Sequence, residues 1–229
     1  MTSTFRSIAA WAFALLAVLA LSASIARSGT VAIQFNSALG TNYGGEYTGI
    51  YYGTVNGTAA SFVCDDFDDS IGNGQSWQAN VGTSYPVSGT VQYNPNVPFF
   101  GTFAEDFDLT QQQDYNAVSY LANQIFADPT GSQVNADSWA IWSLNSSVAF
   151  NDVAAGASAG DSTYLQAWND LFAAQRADNA SNGSLYVYTP VPQGAGQEFL
   201  AQTPEPASMA LFGTFLLMAG AFLKRFARG

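Results

Sequence analysis

The stretch EYTGIYYGTVNGTAASFVCDDF, residues 46–67, decides the fold. Two runs rich in β-branched and aromatic residues, 46–55 and 58–67, flank the dipeptide Asn56-Gly57. An Asn-Gly pair between such runs is a strong signal of a two-residue hairpin, because both residues tolerate the positive φ that its turn requires. The stretch therefore predicts two antiparallel strands joined at Asn56-Gly57.

Further strand and helix patterns surround this hairpin. Strand-like segments lie at 29–35, 84–93, 184–190 and 197–202. Apolar residues recur at helical spacing at 109–126, 133–145 and 161–178, and the Ala/Gly/Ser-rich segment 153–160 predicts a flexible connector. This order predicts an α+β fold. Its N- and C-terminal strands form a β-rich sheet, barrel or sandwich, and about three central helices pack on it.

Charge and composition exclude several classes of function for the predicted body, residues 27–203. Sixteen of the 17 acidic residues but only one basic residue, Arg176, lie at 28–203, which gives a net charge of −15. Such a surface repels nucleic acid, so we expect no nucleic-acid partner. The absence of histidine excludes Ser-His-Asp and Cys-His catalysis, and one cysteine allows no internal disulfide. We expect a protein that is not an enzyme.

An acidic cluster follows the second strand of the hairpin, in CDDFDDSIGNG at 64–74. Hard cations such as Ca²⁺ prefer carboxylate oxygens from a flexible loop. The candidate calcium ligands are Asp65, Asp66, Asp68 and Asp69. Their spacing lacks the acidic residue that closes an EF-hand loop, and the alternative is a solvated acidic turn. Calcium is the one cofactor that the sequence suggests.

The aromatic residues and the single cysteine each have two interpretations. Exposed together, the aromatic side chains would form a glycan-binding platform, but their spacing beside Leu, Ile and Phe favours a core. They are Tyr51, Tyr52, Trp77, Trp139, Trp142 and Trp168. Cys64 is either a reactive thiol or a small buried hydrophobe, and the flanking Asp65 and Asp66 disfavour the thiolate.

The first 26 residues have the organisation of an export signal. Arg6 precedes the apolar segment Ile8–Leu21, and small residues follow at Ser24 and Ala26. This pattern predicts a signal peptide at 1–26 that signal peptidase removes near Ala26. The alternative is an uncleaved N-terminal anchor.

The last 26 residues, 204–229, contain three parts in order. Pro204-Glu205-Pro206 comes first, then the uncharged apolar segment 207–223, then a basic tail at 224–229. The basic residues of this tail are Lys224, Arg225 and Arg228. The apolar segment is 17 residues long, the short limit for a transmembrane helix, and the basic residues would stay in the cytoplasm. The predicted body would then face the periplasm.

This three-part tail resembles the PEP-CTERM protein-sorting signal of Gram-negative bacteria that make exopolysaccharide. The resemblance implies that an exosortase, a membrane-embedded cysteine protease-transpeptidase, recognises the Pro-Glu-Pro region. It implies a precursor held transiently in the inner membrane. After removal of the tail, the body would be released or transferred to the cell surface or extracellular matrix, with exopolysaccharide as a candidate partner. The alternative is a plain C-terminal membrane anchor.

The body resembles the exported thioester-domain-like proteins that often carry such a tail. The matching segments are FVCDDF (62–67), LANQIF (121–126), SWAIWSL (138–144) and GQEFL (196–200). In thioester domains, a cysteine after a strand forms an internal thioester with a glutamine on the helix that bears an AIW-like motif. Cys64 matches the cysteine, but Ser138 stands at the glutamine position and serine cannot supply the acyl group.

Three functions remain as hypotheses. The first is an exosortase-sorted protein with a structural or adhesive, non-enzymatic role. The second is a covalent adhesin that uses a Cys64 thioester. The third is a calcium- or glycan-binding matrix module that uses the acidic cluster or the aromatic residues.

Overall fold

The computed structural model describes residues 30–39, 42–89, 110–176 and 184–202. The predicted signal peptide, Pro-Glu-Pro motif, transmembrane segment 207–223 and basic tail lie outside these ranges. Within them, no helix is both long and apolar enough to cross a membrane.

The described residues form nine strands and four helices. The strands before the helices are β1 (Val31–Ala38), β2 (Asn42–Tyr43), β3 (Glu46–Tyr47), β4 (Ile50–Val55), β5 (Thr58–Cys64), β6 (Ser76–Ser84) and β7 (Val87–Ser88). The helices are α1 (Gln111–Ala127), α2 (Val134–Asn145), α3 (Ser147–Ser158) and α4 (Ser162–Arg176). The chain then returns to the sheet with β8 (Leu185–Val191) and β9 (Phe199–Gln202).

Six antiparallel strands close into a barrel in the order β1-β4-β5-β9-β8-β6, and β6 pairs back with β1. The predicted hairpin is its starting unit, since Val55 pairs with Thr58 across a turn whose residues Asn56 and Gly57 have φ of 50° and 79°. The C-terminal strand β9 lies between β5 and β8. The predicted α+β fold, with N- and C-terminal strands in one sheet, is confirmed, and the sheet is a barrel.

Alternation along the strands divides the core into two parts. One set of side chains fills the barrel interior, where Phe62 of β5 stacks on Phe199 of β9 at 4.9 Å between ring centroids. The neighbouring Val63 and Leu200 face the other way and pack against the helices. Strand side chains point alternately to opposite faces of the sheet. A charged residue next to the end of a buried strand therefore faces either the barrel interior or the helical layer.

The helical layer contains four helices, where the sequence predicted about three. The segment 153–160, predicted to be a flexible connector, lies largely in α3. The Ser146 side chain accepts hydrogen bonds from the backbone N–H groups of Val148 and Ala149, which satisfies donors of the first turn. Gly156 lies against the Tyr164 ring of α4, and a Cβ there would come within 2.1 Å of that ring. Close helix packing therefore accounts for this glycine.

Strand β6 was not predicted, and the strand expected after the hairpin was placed at 84–93 instead. Gln78, Asn80 and Gly82 lower the strand propensity of the segment. The alternation nevertheless buries Trp77 and Ala79 in the barrel interior. Of the predicted strand 84–93, the structure describes the end of β6 and the two-residue strand β7, and residues 90–93 lie outside the described ranges.

Candidate functional site

The four aspartates after β5 point to different partners. The Asp66 carboxylate accepts hydrogen bonds from the backbone N–H groups of Asp68 and Asp69, each at 3.2 Å. The Asp68 carboxylate accepts one from the Ser146 hydroxyl at 2.7 Å, and Asp65 turns into the protein. Across the described ranges, no three Asp, Glu or Cys side chains are arranged to hold a metal ion. The structure therefore does not bring these aspartates together as the predicted calcium site.

Three carboxyl groups meet instead where the barrel contacts α1, and we call Asp65, Asp114 and Glu198 the carboxyl cluster. Asp65 follows β5, Glu198 precedes β9 and Asp114 lies in the first turn of α1. All three are buried, with 2%, 2% and 0% of the surface of Asp65, Asp114 and Glu198 exposed. Adjacent strand ends and the helix start thus place three acidic side chains in one buried interface.

Hydroxyl groups surround only one member of the carboxyl cluster. Tyr115 donates a hydrogen bond to one oxygen of Glu198, and Thr189 donates to the other. Within the described residues, Oδ2 of Asp114 receives no N–H or hydroxyl group, and no residue other than Asp65 itself directs one at the Asp65 oxygens. The register of β5 with β9, in which Cys64 pairs with Phe199, places Asp65 opposite Glu198. A hydrogen bond between their two carboxyl groups requires that one of them carries a proton.

The electrostatics of this interface favour protonated carboxyl groups. Burial, followed by the charge of Glu198, raises the pKa of Asp65 well above its usual range. The same two causes raise the pKa of Asp114 to about 8. Burial and the charge of Asp69 raise the pKa of Asp66 to about 7. The one basic side chain in the described part of the chain, Arg176, is exposed at the end of α4.

Cys64 and Ser138, the two candidate thioester positions, engage different partners. The Cys64 thiol lies in the barrel interior and donates to the Asp66 carbonyl at 3.1 Å. The Ser138 hydroxyl donates to the Val134 carbonyl at 2.8 Å and accepts from the Gly49 N–H at 2.9 Å. Helix α2 does reach β5, because the Trp142 indole donates to the Cys64 carbonyl at 3.0 Å. The structure thus brings the helix to the backbone of Cys64, while the Cys64 and Ser138 side chains form hydrogen bonds with different groups.

Cys64 is expected to react with a maleimide only after unfolding. Its side chain is buried, and that burial, together with Asp66 and Asp65, raises the pKa of the thiol well above its usual range. The thiolate is the reactive species, so the native protein should remain unmodified. Intact mass should show no adduct on the native chain and one adduct in guanidinium chloride.

A Ser61→Cys variant is the matched control, because Ser61 is exposed on the same strand. This variant should gain one adduct under native conditions. Rapid native labelling of Cys64, or a native mass lower by one ammonia as a thioester requires, would contradict the expectation.

The aromatic residues belong mainly to the core, as their spacing favoured. Tyr51, Trp77, Trp139 and Trp142 are buried, and Trp168 packs between Phe150 and Phe172. Tyr52 is the exception, with 39% of its surface exposed on the outside of the barrel. The six residues do not form a shared exposed platform.

Sequence reasoning missed Asp114 and Glu198, although the pattern contained signals for both. Asp114 precedes Ala117, Val118 and Leu121 by three, four and seven positions, so it lies on the apolar stripe of its helix. Glu198 directly precedes the apolar run of β9. A carboxylate on a predicted buried face indicates either a paired charge or a retained proton.

No protein-family model matches this chain, and neither curated proteins nor solved structures include a significant match to it.

Proposed function

We propose that this protein is an exported surface or extracellular-matrix protein with a structural or adhesive, non-enzymatic role. It is sorted through a PEP-CTERM signal and processed by an exosortase. The observation that carries the proposal is the order of three parts: Pro204-Glu205-Pro206, the apolar segment 207–223 and the basic tail 224–229. Each part has a separate physical role, in recognition, membrane insertion and orientation.

The position of the barrel along the chain supports this proposal. Strand β9 ends at Gln202, just before Pro204, and β1 begins at Val31, just after the predicted signal-peptide cleavage near Ala26. Removal of both processing segments would therefore leave every strand and helix of the described body in place. The cleaved body would keep its fold without either segment.

The same proposal sets the path of the protein through the cell. Segment 207–223 holds the precursor in the inner membrane as a transmembrane helix, with Lys224, Arg225 and Arg228 in the cytoplasm and the body in the periplasm. Signal peptidase and exosortase are its processing partners. The mature body then reaches the cell surface or the extracellular space, where exopolysaccharide is a candidate partner.

The buried carboxyl cluster supports a non-enzymatic body. A carboxyl group acts as general acid or base only within hydrogen-bonding reach of a substrate. Asp65, Asp114 and Glu198 are at most 2% exposed, and the Glu198 carboxylate accepts hydrogen bonds from the hydroxyl groups of Tyr115 and Thr189. We therefore assign these buried carboxyl groups a structural role.

Replacing Glu205 is expected to stop removal of the tail. Wild-type protein and a Glu205→Ala variant would be expressed as full-length chains in a Gram-negative host that contains an exosortase. Intact mass of the membrane and secreted fractions measures retention of residues 207–229. Wild-type protein should lose the tail, whereas Glu205→Ala should accumulate in the membrane with the tail present.

Glu46→Ala is the matched control, because Glu46 is exposed on β3 and far from the tail in sequence. It should be processed like wild-type protein. Wild-type protein in a host without the exosortase should retain its tail. Equal processing of Glu205→Ala and wild-type protein would overturn the sorting proposal.

A further inference from the structure

We propose that Asp65 and Glu198 share one proton that holds strand β9 in the barrel, so that a rise in pH loosens the C-terminal strand. The proposal concerns the folded body and does not depend on how the protein is sorted. It rests on the burial of the carboxyl cluster, on the unequal distribution of hydrogen-bond donors within it and on the contacts that join it to β9.

The hydrogen bonds assign the proton to Asp65. Glu198 accepts hydrogen bonds from the Tyr115 and Thr189 hydroxyl groups, one on each oxygen, which stabilises it as an anion. No other described residue donates to the Asp65 oxygens, so its ionised form would be a poorly compensated charge beside another anion. Protonated Asp65 donates to Glu198, and a single negative charge is then shared by three donors.

Every titratable group that faces the pair is acidic or weakly acidic. Helix α1 contributes Asp114 and Tyr115, and the end of β5 with its following loop contributes Cys64 and Asp66. Strand β8 contributes Thr189, which does not titrate, and α2 contributes the uncharged Trp142 indole bound to the Cys64 carbonyl. When the proton leaves, no cation among the described residues of this interface offsets the second negative charge.

The pair lies at the point where β9 enters the barrel. The Glu198 backbone N–H approaches the Asp66 carboxylate at 3.4 Å, and the Gln197 amide donates to the Asp66 carbonyl at 3.1 Å. Strand β9 then pairs with β5 at only two positions, Val63 with Leu200 and Cys64 with Phe199. Repulsion between ionised Asp65 and Glu198 would separate the start of β9 from the end of β5. This is the weaker edge of β9, because β9 pairs with β8 at four positions.

The sign of the pH effect follows from the direction of the pKa shifts. An unfolded aspartate releases its proton near pH 4, whereas the folded protein retains protons on Asp65 and, to about pH 8, on Asp114. The stability that the Asp114 proton provides is complete below about pH 4 and is lost as pH rises through about 8. The stability that the Asp65 proton provides is lost as pH rises through the raised pKa of that carboxyl group. For each proton that only the folded state holds, the unfolding equilibrium constant rises about tenfold per pH unit.

The test compares the mature protein, as recovered from its host, with Glu198→Gln and Asp65→Asn between about pH 5 and pH 8.5, the range set by the unfolded and folded titrations. Denaturant unfolding measures global stability. Hydrogen exchange, corrected for the intrinsic pH effect, measures protection of β9 relative to β1. Wild-type stability should fall across this range, and β9 should lose protection at lower pH than β1. Asp65→Asn should reduce the change in the unfolding constant by about tenfold or more, because it removes the titrating group. Glu198→Gln should reduce it by a smaller factor, because burial, the larger cause of the raised Asp65 pKa, remains.

Asp65→Asn keeps Glu198 and both of its hydroxyl donors. It therefore still measures the pH dependence of stability if Glu198→Gln does not fold. Glu46→Gln, an exposed substitution, should follow the wild-type profile. Wild-type stability that is constant or rises with pH would overturn the proposal. So would an undiminished pH dependence in either folded variant, or loss of β1 protection before that of β9.

Discussion

Trp139→Ala is expected to lower the free energy of unfolding by about 3–5 kcal/mol, because it removes the largest fully buried side chain among the described residues. Trp139 is 1% exposed, and its ring centroid lies 5.3 Å from Phe67, 5.2 Å from Trp142 and 5.0 Å from Tyr164. The substitution would leave a cavity among rings contributed by two helices and by the loop after β5. Denaturant unfolding at constant pH measures the change.

Tyr52→Ala is the control for this aromatic deletion. Tyr52 is 39% exposed on the outer face of the barrel, so its removal should change stability by about 0.5 kcal/mol or less. A loss below about 1 kcal/mol for Trp139→Ala would show that Trp139 is not part of a close-packed core. That result would restore the exposed-platform interpretation of the aromatic residues.

Gly53→Ala is expected to cost about 3 kcal/mol by forcing two barrel strands apart. A Cβ on Gly53 would lie 2.0 Å from the Gln34 carbonyl oxygen of β1 and 3.0 Å from the Phe62 ring. Phe62 could move slightly, but the Gln34 carbonyl belongs to the backbone of the paired strand, where Phe35 is opposite Gly53. Thermal and denaturant unfolding of the variant measure the cost.

Gly72→Ala is the matched glycine control. Its nearest neighbour would be the Gln75 side-chain oxygen at 4.0 Å, and its φ is not in the left-handed region. Stability should therefore stay within about 0.5 kcal/mol of wild type. If Gly53→Ala were equally neutral, β1 and β4 would not approach as closely as the barrel requires.

Local patterns predicted the parts of the fold that depend on local chemistry. Asn56-Gly57 predicted the hairpin because positive φ at both positions is a property of the dipeptide itself. Closure of the barrel through β6 was not predictable in this way. Its Gln, Asn and Gly residues weaken the strand signal, and the pairings of β6 with β1 and β8 join segments far apart in sequence. Helix α3 was missed because small residues, here required for close packing, resemble a flexible connector.

The candidate site was likewise predictable from the sequence only where it depends on local chemistry. The sequence shows the acidic residues after β5, but it does not show which way each side chain points. Alternation sends Cys64 into the barrel and Asp65 under α1, and the turn closed by Asp66 sends Asp68 to Ser146. Glu198 reaches Asp65 only because β9 pairs with β5, a contact across more than a hundred residues. An acidic sequence therefore suggested cation binding, whereas the fold points to retained protons.

The intact mass of the wild-type protein recovered outside the cells of an exosortase-containing host tests the central claim most directly. The sorting account predicts a chain that has lost the signal peptide near Ala26 and lacks residues 207–229. The same host without its exosortase should yield a membrane-bound chain that keeps residues 207–229. A mature protein that carries the complete C-terminal segment in the presence of the enzyme would contradict the account.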